Sequence, residues 1–78
     1  MQATQTLDTK GQLCPLPVIK TQNAIQGMSP GETLRVEATD PGVMHDIPAW
    51  CRINGHKILN TYQEDRIFYL TIEVMQTD

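Results

Sequence analysis

The sequence predicts a two-layer α/β sandwich of the α+β kind, in the order β-α-β-α-β-β, with two helices packed on one face of a four-stranded sheet. Two stretches of helical apolar spacing each follow a shorter stretch that reads as a strand. The final third alternates apolar and polar residues around an acidic turn. At 78 residues, one sheet face covered by both helices is the simplest arrangement that buries both helical stripes.

Gln5 to Asp8 reads as a short strand with Leu7 as its apolar side chain. Thr9-Lys10-Gly11-Gln12 supplies turn chemistry, and Gly11 suits a positive φ there. Leu13 then occupies the position from which a staple residue folds back on a helix. From Pro15 to about Gly27, the residues Leu16, Val18, Ile19, Ala24, Ile25 and Met28 form the expected core stripe. Lys20, Gln22, Asn23 and Gln26 face water, and Gly27 with Ser29-Pro30-Gly31 ends the helix and turns the chain.

Glu32 to Thr39 sets Leu34, Val36 and Ala38 against Arg35 and Glu37, the pattern of a half-buried strand. After Asp40-Pro41-Gly42, the residues Val43, Ile47, Trp50 and Cys51 share a helical face. Pro48 is unsuited to a helix interior, so residues 40–44 are expected as a loose turn. Asp46 would then cap a helix whose first turn holds Pro48. Gly55, after Asn54, is the expected left-handed stop. Lys57 to Gln63 puts Ile58, Asn60 and Tyr62 on one side and Leu59 on the other. Glu64-Asp65 makes the hairpin turn. Arg66 to Met75 sets Phe68, Leu70, Ile72 and Val74 against Ile67, Tyr69 and Thr71.

The chemistry concentrates in Cys14-Pro15-Leu16-Pro17. A residue before proline is steered towards extended angles, the conformation of an N-cap, so Cys14 is expected to cap the first helix. Pro15 then falls at the first helical position and Pro17 within the first turn, where a missing N–H breaks no hydrogen bond. The N–H of Leu16 is left for the sulfur. That donor and the positive end of the helix dipole both favour a thiolate, which predicts a lowered pKa and a nucleophilic Cys14. The competing reading is an inert, buried cysteine ahead of an amphipathic helix.

Bulk properties restrict the function. One domain over residues 1–78 is expected, with its structured core at about 5–75. Two cysteines make no disulfide framework and suit a reducing compartment. No apolar run approaches membrane-spanning length and the first residues lack signal-peptide character, so a cytoplasmic location away from membranes is expected. A formal net charge of −3 argues against direct binding to nucleic acid or to anionic membranes.

Cys51, beside Trp50 and Ile47, reads as a buried structural thiol; as a resolving partner for Cys14 it would have to lie within bonding distance. Cys14, His45, Cys51 and His56 lack the close pairs of a zinc site, so no metal and no cofactor is expected. Asp40 and Asp46 read as turn and cap residues. Lys10, Lys20 and Arg35 are the candidates for a positive rim around the thiol.

Cys-Pro-Leu-Pro, with Leu7-Asp8 and Gly11 before it and Val18-Ile19 after it, resembles the Cys-Pro-X-Pro signature of the TusA/SirA family of small sulfur-carrier proteins. Pro30-Gly31-Glu32, Ala38-Thr39-Asp40-Pro41-Gly42, Asp46-Ile47-Pro48, Trp50-Cys51 and Gly55-His56 follow in that family's order and spacing, so the resemblance runs from Thr6 to Val74. In relatives an Arg or Asn often precedes the cysteine, where this chain has Leu13.

The resemblance implies a mixed sheet and a sulfurtransferase-type persulfide carrier rather than a stand-alone turnover enzyme. Cys14 would accept a sulfane sulfur from a protein donor, a cysteine desulfurase or a rhodanese-like protein, and relay it to an acceptor protein. The destinations known in relatives include tRNA 2-thiouridine, other sulfur-containing cofactors and sulfur oxidation. Pro15, Leu16 and Pro17 support the nucleophile, and a monomer is expected because a carrier shows its thiol to two partners in turn. The rival function is a non-catalytic regulatory or protein-interaction module with Cys14 as helix cap or redox sensor.

Overall fold

In the computed structural model, which describes residues 4–76, the elements follow the predicted order. They are β1 (Gln5–Thr9), α1 (Leu16–Gln26), β2 (Thr33–Ala38), α2 (Val43–Asn54), β3 (Lys57–Glu64) and β4 (Ile67–Glu73). The sheet is mixed, with strand order β1-β2-β4-β3. β1 runs parallel to β2, whereas β4 is antiparallel to both β2 and β3. β2 and β3 therefore point the same way with β4 between them. Each helix is the long return that two like-directed strands require.

Both helices cover one face. Leu34, Val36 and Ala38 of β2 alternate inward with Leu70 and Ile72 of β4, and Val74 continues the row. Ile25 from α1 and Val43, Ile47 and Cys51 from α2 close over them. β2 and β4 are central strands, so their inward residues are the most completely buried. The register also holds at the strand ends: Gly31 N–H donates to Val74 O at 2.7 Å and Val74 N–H to Glu32 O at 2.8 Å. Gly31 has a φ of +93°, a conformation an L side chain resists.

The helix that carries Pro48 differs from expectation. α2 starts at Val43 with Gly42 at its cap, and Pro48 lies inside it. Asp46 does not cap; it belongs to the first turn. Val43, Ile47 and Cys51 are one helical turn apart and all buried, so a helix begun at Val43 places a third side chain in the core. That burial outweighs the hydrogen bond to Met44 O that Pro48 cannot make. Gly55 is left-handed at φ 82°, as expected.

α1 buries Pro17, Thr21 and Ile25, with Val18, Ala24 and Met28 partly covered. Leu16 and Ile19, expected in the core stripe, remain 47% and 45% exposed, and Leu13, expected as a staple, is 73% exposed. The inward line runs through Pro17 and Thr21, whose hydroxyl is satisfied by Pro17 O at 2.8 Å, leaving the flanking apolar residues outside.

In β3 the register slips between Ile58 and Asn60, which makes Leu59 a bulge. Ile58, paired with Ile72, packs on the core, while Asn60 and Tyr62 pair with Thr71 and Tyr69 on the opposite face. The expected single row of Ile58, Asn60 and Tyr62 is thus split. On the uncovered face Tyr62 stacks on Tyr69 at 4.6 Å, and the Arg35 guanidinium lies 4.7 Å over the Tyr69 ring. Among the described residues, no helix is long and apolar enough to cross a membrane.

Candidate functional site

Parallel pairing of β1 with β2 brings the C-terminal ends of both strands, and the loops that leave them, to one edge of the sheet. The β1–α1 loop turns at Gly11 (φ +84°), where Gln12 N–H donates to Thr9 O at 3.2 Å. Hydrogen bonds then tie this loop to the one after β2. Thr9 Oγ1 donates to Glu37 O at 2.8 Å, Gly11 N–H to Thr39 Oγ1 at 2.9 Å, and Cys14 N–H to Asp40 Oδ2 at 2.7 Å. The second oxygen of Asp40 accepts Gly42 N–H at 3.0 Å, which fixes that carboxylate in its own turn.

Cys14 is exposed at the N-terminal side of α1, and Cys51 is buried. The geometry around Cys14 departs from expectation in two ways. First, the peptide to Pro15 is cis, Pro15 itself occupies the cap position and Leu16 is the first helical residue. Leu16 N–H donates to Leu13 O at 3.0 Å, so the donor assigned to the sulfur is already used by a backbone turn. Second, the Cys14 thiol donates to Asp46 Oδ2 at 3.2 Å. That hydrogen bond raises its pKa above the ordinary thiol value, with burial and the negative charges of Asp46 and Asp40 acting in the same direction. Cys14 is thus not the lowered-pKa thiol that the helix terminus alone predicts. The hydrogen bond to Asp46 is the largest cause, and the charge of Asp40 acts in the same sense.

The same bond holds Asp46 below the usual carboxylate range, helped by His45, whose Nδ1 lies 3.3 Å from Asp46 Oδ1. The basic residues considered for a rim lie elsewhere. Lys10 pairs with Glu37 at 2.9 Å and Asp8 at 3.1 Å. Arg35 is on the uncovered sheet face with Glu37, Tyr62 and Tyr69. The charge of Lys20 acts on Asp8.

Asp40 and Asp46 are therefore the neighbours of the thiol that sequence reasoning missed. From the sequence Asp40 reads as a turn residue and Asp46 as a cap, the second of which the structure corrects, and they lie far from Cys14 along the chain. The signal that could have found them is the parallel pairing of β1 with β2, which sets the starts of α1 and α2 side by side.

A groove of about 420 Å³ lies at the other ends of the helices, lined by Ile25, Met28, Trp50, His56, Val74 and Met75 among others. Here His56 stacks on Trp50 at 5.4 Å, and its Nδ1 accepts Met75 N–H at 3.2 Å. Burial lowers the His56 pKa. Among the described residues, no three His, Cys, Asp or Glu side chains form a metal-holding group.

A family model described as sulfurtransferase TusA matches residues 5–74. A candidate sulfur carrier protein of Neisseria meningitidis serogroup A is 39% identical over 70 residues, 90% of this chain and 95% of its own. The candidate sulfur carrier YrkI of Bacillus subtilis is 36% identical over 73 residues, 94% of this chain and 97% of its own. YrkF of the same organism, also a candidate sulfur carrier, is 42% identical over 67 residues, 86% of this chain. The match spans only 36% of YrkF's length. The crystal structure of a SirA-like protein from Desulfitobacterium hafniense superposes with a TM-score of 0.81 over 92% of this chain and 99% of that one, at 20% identity. That likeness concerns the fold.

Proposed function

Because the chain belongs to the TusA sulfurtransferase family, we propose that it is a sulfur carrier whose Cys14 receives a sulfane sulfur and passes it on. The observation that carries the reading is the exposed thiol of the Cys-Pro-Leu-Pro motif at the start of α1, in a chain whose other thiol is buried. The Cys14 thiolate attacks the terminal sulfur of a donor persulfide. A new S–S bond forms on Cys14, the donor's S–S bond breaks, and the donor cysteine leaves as a thiolate that takes up a proton. No electrons are gained or lost, so no cofactor is needed.

The donor is a cysteine desulfurase or a rhodanese-like protein, and an acceptor protein removes the sulfur by the same exchange. Thiolation of tRNA uridine is one destination such a relay serves, with the RNA reached through the acceptor rather than by this acidic chain. Leu13, Leu16 and Ile19 follow one another at three-residue intervals beside Cys14 and are exposed, which suits a docking face for both partners. The carrier works as a monomer in the cytoplasm.

A rival reading as a regulatory or interaction module is favoured by one observation, the proton held between Cys14 and Asp46 in the free protein. Intact mass measurement separates the two. After incubation with a cysteine desulfurase and cysteine, or with a rhodanese and thiosulfate, the carrier gains one reducible sulfur atom, and Cys14→Ser gains none while staying folded. Absence of that gain with both donors sinks the carrier reading in favour of the module.

A further inference from the structure

We propose that Asp46 is the positioning residue of Cys14: its carboxylate accepts the thiol's hydrogen bond, aims the sulfur, and keeps the proton on it until a cationic group of the docked donor pairs with that carboxylate. The donor's identity rests on the carrier reading above; the control of the thiol does not.

Two points of Cys14 are held by one neighbouring segment. Its backbone N–H is fixed on Asp40 at 2.7 Å and its sulfur on Asp46 at 3.2 Å. Only a protonated sulfur can donate to Asp46. Removing the proton exchanges a hydrogen bond for two like charges in contact, so the resting state is the thiol. The raised Cys14 pKa and lowered Asp46 pKa have this common cause.

The groups that face the sulfur are Asp40 from the β2–α2 turn and Asp46 from α2, with His45 on the far oxygen of Asp46. α1 has no acidic residue in its first turn, and Lys10 of the β1–α1 loop is engaged by Asp8 and Glu37. A lysine or arginine beside the donor's persulfide would pair with Asp46 and remove its charge from the sulfur. Cys14 then releases its proton to water and attacks. The donor thiolate that leaves takes up a proton, so one thiol and one persulfide are consumed and one of each is formed.

Small charged reagents stand in for the partner. Rates of Cys14 modification by a trimethylammonium-ethyl methanethiosulfonate and by its anionic sulfonatoethyl counterpart are followed on the whole chain by intact mass, from neutral to alkaline pH. In each reaction the thiolate takes the reagent's thioalkyl sulfur and methanesulfinate leaves. The wild type reacts late in the pH range and prefers the cation. Asp46→Asn keeps an acceptor oxygen without the charge, so its profile moves to lower pH. One unit charge at about 4 Å in water is worth about fivefold on each reagent, in opposite senses, so the variant's cation-to-anion rate ratio falls about twenty-five- to thirtyfold.

Glu64→Gln, an exposed acid at the end of β3, changes neither reading, and Cys14→Ser gives the background. If Asp46→Asn does not fold, Asp46→Ser is expected to shift both readings in the same sense. A folded variant at position 46 with wild-type profile and ratio overturns the proposal. No sulfur donor is involved, so failure of sulfur loading would sink the carrier reading without touching this result.

Discussion

Burial pushes the Cys51 thiol from an ordinary value of 9.0 up to about 11, and the side chain is 1% exposed in the same core as Ile47 and Leu70. A group whose pKa is raised by folding adds stability that is fully present below its unfolded value and is lost as pH climbs through the folded one. The window for Cys51 therefore opens near 9.0 and extends to about 11. Cys51→Ser places a hydroxyl among apolar neighbours and is expected to cost about 1–3 kcal/mol at neutral pH. In urea titrations its stability should decline less steeply than the wild type's across the alkaline window, since the hydroxyl does not titrate there. Sulfur loading on Cys14 should persist in this variant; its loss from a folded protein would give the buried thiol a role it lacks here.

At the scale of elements, α2 tolerates a proline that its own local rules disfavour. Val43, Ile47 and Cys51 define the buried line, and keeping all three inside requires helix on both sides of Pro48. Pro48→Ala restores the missing N–H. An interior proline costs about 3 kcal/mol against alanine, while its rigidity returns about 0.4–1 kcal/mol through the unfolded chain. With part of the clash already relaxed in the native helix, a gain of about 1–2 kcal/mol is expected in thermal or urea unfolding. Unchanged or lower stability would mean that the shape of α2 at Pro48 is needed to seat Ile47 and Cys51. β3 shows the related effect in a strand. The bulge at Leu59 lets Ile58 reach the core while Tyr62 reaches Tyr69 on the other face, a change of side that strict alternation forbids.

For the molecule as a whole, the core and the proposed docking face lie on different surfaces. The core lies between the sheet and both helices, whereas Leu13, Leu16 and Ile19, close to Cys14 in sequence, are exposed outside it. Leu16→Gln is therefore expected to change stability by less than about 0.5 kcal/mol. As an anchor beside the reacting sulfur, the same residue should slow loading from a protein donor by about tenfold. Its reaction with a small thiol reagent should stay close to the wild type's. Equal slowing with both would locate the defect at the thiol rather than at the interface.

Local pattern made most of the architecture legible. The alternation in residues 32–39 and 66–75 matches the inward rows of β2 and β4, and the stops at Gly27 and Gly55 bound the helices. These are properties of a few neighbouring residues, which periodicity and turn chemistry record. The motif at Cys14 was equally visible, but its electrostatics was not. The helix-terminus argument took account of Leu16 N–H and the dipole, both local, while the dominant partners, Asp40 and Asp46, arrive from the next strand–helix unit. Strand order likewise required the tertiary structure: β4 inserts between β2 and β3, and β1 closes on β2. The sequence by itself determined the order of the elements, most of their bounds and the place of the Cys14 motif at the start of α1, though not where α2 begins. Only the folded sheet decided which charges meet that thiol, because parallel pairing joins two helix starts that are remote along the chain.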